Sequence, residues 1–83
     1  MDDKTLKVAI LEAVRARGSG KTICPFEVAR RLEPDWRYIM PDIRRVGQAF
    51  ADQGYIVVTQ NGHLVRALEA KGPIRFGLPG SFG

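Results

Sequence analysis

A chain of 83 residues, 45% hydrophobic and 27% charged, holds at most one small domain around one modest core. One cysteine, Cys24, and one histidine, His63, exclude an internal disulfide, a multi-thiolate zinc site and a Cys/His metal pair. The formal net charge of +4 tilts the chain towards polyanionic partners, though many small proteins are as basic without binding nucleic acid.

Leu6, Ala9, Ile10, Ala13 and Val14 recur at spacings of three and four, which predicts an amphipathic helix over residues 3–17. Asp2 and Asp3 suit its positive dipole end, Arg15 and Arg17 its negative end, and Gly18 its stop. Gly18-Ser-Gly-Lys-Thr22 resembles part of a phosphate loop. Arg15 stands where that pattern needs its first glycine, and a helix rather than a strand precedes it, so the stretch reads as a plain loop. Lys21–Cys24 suits a short β-bridge. Pro25 then opens a second helix at a position where its missing N–H costs nothing. Glu27 is placed to bond back to the backbone of Cys24. Phe26, Val28, Ala29 and Leu32 form the expected buried side, Arg30 and Arg31 the wet one, and Pro34 ends the helix.

Asp35-Trp-Arg-Tyr38 predicts one tight turn. Pro41 would block the bond to the Arg37 carbonyl in a helix running on from Trp36. The third helix is therefore expected from Pro41 to about Gln53, with a kinked continuous helix as the alternative, and Gly54 as the stop. Tyr55–Gln60 is a β-branched strand entering the tight turn Asn61-Gly62. Two return strands compete, His63–Val65 across the turn and Ile74–Leu78 further on. The second is preferred, leaving residues 61–72 as a long loop. The expected core comprises Leu6, Ile10, Val14, Val28, Leu32, Ile43, Val46, Phe50, Ile56 and Val58.

This element order predicts an α+β winged helix-turn-helix: three helices with a small antiparallel β-sheet, residues 61–72 being the wing. The domain is expected over residues 1–78, with 79–83 as a flexible tail. No apolar run approaches the ~20 residues of a membrane span. Asp2, Asp3, Lys4 and Lys7 do not suit a secretory signal. The expected setting is cytoplasmic.

Several spaced motifs, namely Gly20-Lys-Thr-Ile-Cys-Pro25, Glu27-Val-Ala-Arg30, Trp36-Arg37, Met40-Pro41 with Arg44-Arg45, Thr59-Gln60 and Gly72-Pro-Ile-Arg75, resemble a bacterial family of small proteins known as domain of unknown function 3253. The resemblance spans roughly residues 5–78. It implies a winged-helix fold in a bacterial cytoplasm, and it supplies no activity and no site residues. Where many relatives carry Val-Asp-Pro, this chain has Val65-Arg66-Ala67, a more basic loop.

The fold class points to double-stranded DNA. Ile39, Ile43, Val46 and Phe50 form one stripe of the third helix, and Pro41, Arg44, Arg45, Gln48 and Asp52 lie opposite. Arg45 and Gln48 are candidate base readers, since arginine bonds guanine and glutamine bonds adenine through paired contacts. Lys21, Arg30, Arg31 and Arg37 are candidate phosphate contacts. His63, Arg66 and Lys71 of the wing and Arg75 of the return strand join them. Each set also has a plain structural reading, as a solvated face or as dipole compensation, and Asp42 and Asp52 nearly balance the charge of the third helix. Trp36 and Tyr38 flank Arg37 as a single-strand stacking platform would, although a tryptophan there more often packs under the turn. Cys24 is expected to be a small buried hydrophobe. No cofactor, metal or small-molecule ligand is implied, and no constellation supports catalysis. The alternative to DNA binding is a protein-interaction module, and a homodimer would enlarge a small footprint.

Overall fold

The computed structural model describes residues 1–80. Its elements are α1 (Asp3–Arg17), β1 (Thr22–Ile23), α2 (Pro25–Leu32), a 3-10 turn η1 (Trp36–Ile39), α3 (Met40–Asp52), β2 (Val57–Gln60), β3 (His63–Leu64) and β4 (Arg75–Gly77). The architecture is α+β, three helices packed on a four-stranded antiparallel sheet of order β1-β4-β2-β3.

The helix ends follow local chemistry. Asp2 caps α1, its Oδ1 accepting from the Thr5 N–H at 2.9 Å. At the end of α3 the Tyr55 N–H donates to the Phe50 carbonyl and the Gly54 N–H to that of Ala51, both at 3.0 Å. That bond pair is a Schellman closure, and it needs the positive φ of 84° that Gly54 supplies. Pro41 lies inside the first turn of α3. The backbone resolves the proline conflict by running through the 3-10 turn of residues 36–39 directly into the helix, with Ile39 at φ −102°, ψ −1° as the break. The kinked alternative is thus closer to the structure than a separate turn.

Three local expectations are corrected. Both candidate return strands form, β3 and β4 each pairing with β2, so residues 61–72 are not all loop. Asn61 and Gly62 both take positive φ, 52° and 82°, which lets His63 pair straight back onto Gln60. The Glu27 side chain does not return to Cys24, although the Glu27 N–H donates to the Cys24 carbonyl at 2.9 Å. Its Oε2 takes a bond from Arg17 at 2.6 Å, tying α2 to α1. Phe26, Leu32 and Cys24 are only half-buried, because α2 lies at the edge of the helical layer.

The core is otherwise the expected one. Leu6, Ile10, Val14, Val28, Ile43, Val46, Phe50, Ile56 and Val58 are buried together. Ile23, Ala67, Ile74 and Phe76 join them from the sheet and the β3–β4 connection. Phe76 projects from β4 against α3, where Gly47 leaves room for its ring. A Cβ at Gly47 would overlap Phe76 Cζ and stand 2.8 Å from Cε1. This close approach fixes the depth at which α3 sits on the sheet.

The loose tail expected at residues 79–83 lies mostly outside the described residues. No helix among the described residues is long and apolar enough to cross a membrane.

Candidate functional site

The candidate residues divide into two groups, one spent on internal bonds and one facing outward. The first lies on α3 and the β3–β4 connection. Arg44 reaches over the connection, and its guanidinium donates to the carbonyls of Ala67 and Ala70, each at 3.1 Å, and of Gly72 at 2.6 Å. Gln48 is buried at 6% exposure. Its Oε1 accepts from the Ala67 N–H at 2.6 Å and its Nε2 donates to Asp52 at 2.8 Å. From the other side Gln60 Nε2 donates to the carbonyls of Lys71 and Pro73 at 2.6 and 3.1 Å. A segment with little ladder pairing of its own thus has its backbone groups satisfied by side chains of α3 and β2.

Gln48 is therefore not on an outer face, and that expected position is corrected. Its amide lies beneath the connecting segment because the i+4 row of α3 that holds Arg44 and Gln48 is the row this segment crosses. The donor that Gln48 binds is a backbone N–H, that of Ala67, which a proline at this position would lack. Arg44 is likewise a clamp on the segment rather than an exposed side chain.

Arg45 is on the surface but doubly held. It makes a bidentate pair with Asp3 at 2.8 and 3.0 Å and a further contact to Asp42 at 3.3 Å. Hydrogen bonding to Asp3, and then to Asp42, raises its pKa. The same hydrogen bond, followed by the coulombic attraction of Arg45, lowers that of Asp3. Arg66 stands 3.4 Å from Asp52. Arg75 donates to the Thr22 hydroxyl and carbonyl at 2.9 and 3.0 Å, stitching β4 to β1.

The second group lies on α2, η1 and the loops. Lys21, Arg30, Arg31, Arg37, His63 and Lys71 are exposed, and none has a carboxylate partner among the described residues. Two of them belong to a ladder of rings and cations. Arg30 lies 5.2 Å from the Phe26 centroid, Phe26 meets Trp36 edge-to-face at 4.6 Å, and Arg37 lies 4.5 Å from the Trp36 centroid. Trp36 is thus partly packed against α2, as expected of a turn tryptophan. The ladder also holds Arg30 and Arg37 on one face.

Next to the ladder is a cleft of about 440 Å³ between the start of α3 and the connecting segment, lined by Arg37, Met40, Pro41, Arg44, Ala67 and Leu68. Sequence patterning did not reveal it, since it forms only where Leu68 is brought against Met40 and Pro41. Around it Tyr38 is 81% exposed and Leu68 61%. Among the described residues no group of three or more His, Cys, Asp or Glu side chains could hold a metal ion.

Fold and surface together define a small α+β domain with an internally braced third helix and a basic, aromatic-rich face on its second. The family model described as Protein of unknown function (DUF3253) matches residues 3–79, nearly the whole chain, and the protein belongs to that family. No curated protein matches the chain.

Proposed function

We propose that the chain is a cytoplasmic winged-helix module that binds double-stranded DNA through its α2–η1 face. One observation carries this reading. Arg30, Arg31 and Arg37 face outward without carboxylate partners among the described residues, whereas Arg44, Arg45, Arg66 and Arg75 are occupied by internal acceptors. The order of elements, helix, strand, helix, helix, strand and returning strands, supports the winged-helix part of this reading. In the usual docking the third helix enters the major groove. Here its polar row is covered by the connecting segment, so contact shifts to phosphates along α2 and η1, with Lys21 and Lys71 as further positive charges and His63 as a further polar contact. Binding of this kind attracts without reading sequence.

A labelled blunt duplex, titrated at two salt concentrations, tests the reading. Affinity should fall steeply with salt, and Arg31→Ala or Arg37→Ala should each lower the slope of log affinity against log salt by about one. Unchanged slopes in both variants would falsify it. A small footprint also favours a dimer on DNA, which sedimentation with and without duplex would detect.

A second reading has an observation of its own. Leu64 at 72% and Leu68 at 61% exposure, with Tyr38, leave large apolar side chains on the surface, as a protein-interaction module would. Absence of duplex binding even in low salt would favour it.

A further inference from the structure

The cleft beside η1 has features that phosphate attraction does not use. Four of its lining residues are apolar, Met40, Pro41, Ala67 and Leu68; the other two are Arg37 and Arg44, the latter bonded to carbonyls of the connecting segment. Its volume of about 440 Å³ lies in the range of small-molecule sites, roughly 300–1,000 Å³. Arg37 stands on its lining, held against Trp36 and without a carboxylate partner among the described residues.

An aromatic ring adjoins the cleft. Tyr38 follows Arg37 in η1 and precedes Pro41 by three residues, a spacing that makes side chains neighbours on a helical surface, and both Arg37 and Pro41 line the cleft. Tyr38 is not itself part of the lining but is set beside it. The two nearby aromatics differ in availability. Trp36 is taken by Phe26 at its edge and by Arg37 over its ring. Tyr38 is 81% exposed, with no ring or cation contact among the described residues.

We propose that this cleft holds a single unpaired nucleotide of a bound nucleic acid, its base stacked on Tyr38 over the Met40, Pro41 and Leu68 surface and its phosphate paired with Arg37. The proposal rests on the nucleic-acid reading of the α2–η1 face and adds the kind of site recognised. A paired base is inside the duplex stack and does not reach a concave apolar cleft. A bulged or overhanging base does, because every base offers a π-face for stacking. Charge complementarity selects this occupant over a neutral apolar one, since Arg37 leaves an unbalanced positive charge at the rim. The inference also moves the stacking role from Trp36, the larger ring, to Tyr38, the open one.

The test compares a fully paired duplex with the same duplex carrying one unpaired nucleotide, using the full chain. Wild type should bind the bulged duplex more tightly by on the order of tenfold. Tyr38→Ala should abolish that preference while still binding the paired duplex, and Tyr38→Phe should keep it. Tyr38 is exposed enough that truncation leaves the fold intact, which circular dichroism checks. If wild type binds both duplexes equally, or Tyr38→Ala keeps the preference, the cleft proposal fails while duplex binding stands. If neither duplex binds in low salt, the underlying nucleic-acid reading fails and takes the cleft with it.

Discussion

The sequence contains the same dipeptide twice on amphipathic helices: Arg30-Arg31 on α2 and Arg44-Arg45 on α3. Arg44 and Arg45 are tied to three backbone carbonyls and two carboxylates, while Arg30 and Arg31 have no such acceptors. Position in the fold makes the difference. α3 packs against both other helices and lies beside the sheet, so the connecting segment crosses its polar row and the start of α1 brings Asp3 to Arg45. α2 lies at the edge, where Glu27 is the one charged side chain of the helix with an ion-pair partner among the described residues. A basic pair on a helix thus becomes a brace or a contact surface according to what the chain lays over it.

That contrast makes α3 a structural element on both sides and α2 a structural element on one. The largest effect should come from the apolar side of α3. Phe50→Ala should cost about 3–5 kcal/mol, read from urea denaturation, because Phe50 is 7% exposed within the core. A loss below about 1 kcal/mol would mean the site collapses around the cavity and α3 is not the central support.

Next comes the polar side of the same helix. Arg44→Ala removes every side-chain bond to the carbonyls of Ala67, Ala70 and Gly72, and should cost about 2–3 kcal/mol. The amides of residues 66–72 should then exchange faster with solvent while those of α1 keep their protection. Equal acceleration throughout would show that Arg44 braces the whole domain rather than this segment.

The α2–η1 arginines should behave oppositely. Arg30→Ala, Arg31→Ala and Arg37→Ala should leave stability within about 0.5 kcal/mol of wild type, each weakening duplex binding as described above. Large destabilisation by any of the three would place that residue among the braces and erase the contrast.

The smallest effect concerns the Arg45–Asp3 pair, which is exposed and so weak. Hydrogen bonding from Arg45 holds the Asp3 carboxyl below its ordinary value of 3.8. A depressed carboxylate stabilises the folded state above the unfolded pKa and loses that contribution as pH falls through the folded one. The thermal midpoint of wild type should therefore exceed that of Asp3→Asn at neutral pH by a small margin, and the margin should close as pH drops below 3.8. A margin unchanged at acid pH would mean that the pair adds nothing.

Much of the fold was legible because its determinants are local. The limits of α1 follow from Asp2, the spacing of Leu6, Ile10 and Val14, and Gly18; the stop of α3 follows from Gly54. Asn61-Gly62 marked the hairpin turn, but whether His63 or Ile74 began the return strand depended on pairing across the sheet, and both proved to pair. The apolar stripe Ile39, Ile43, Val46 and Phe50 was readable at helical period. Its polar complement was not, since periodicity separates apolar from polar without showing which polar side chains face water.

By itself the sequence determined the α+β class, the extent of α1, the stop of α3, the apolar stripes of α1 and α3 and a net positive charge, all set by composition, spacing and backbone preference within a few residues. Only the tertiary structure decided that Gln48 is buried, that Arg44 clamps the connecting segment, that Gly47 accommodates Phe76, and that Tyr38 and Leu68 stand beside a cleft. Each of these joins residues distant along the chain. Their energies come from desolvation, hydrogen bonding and close packing at contacts that exist only once the segments have met.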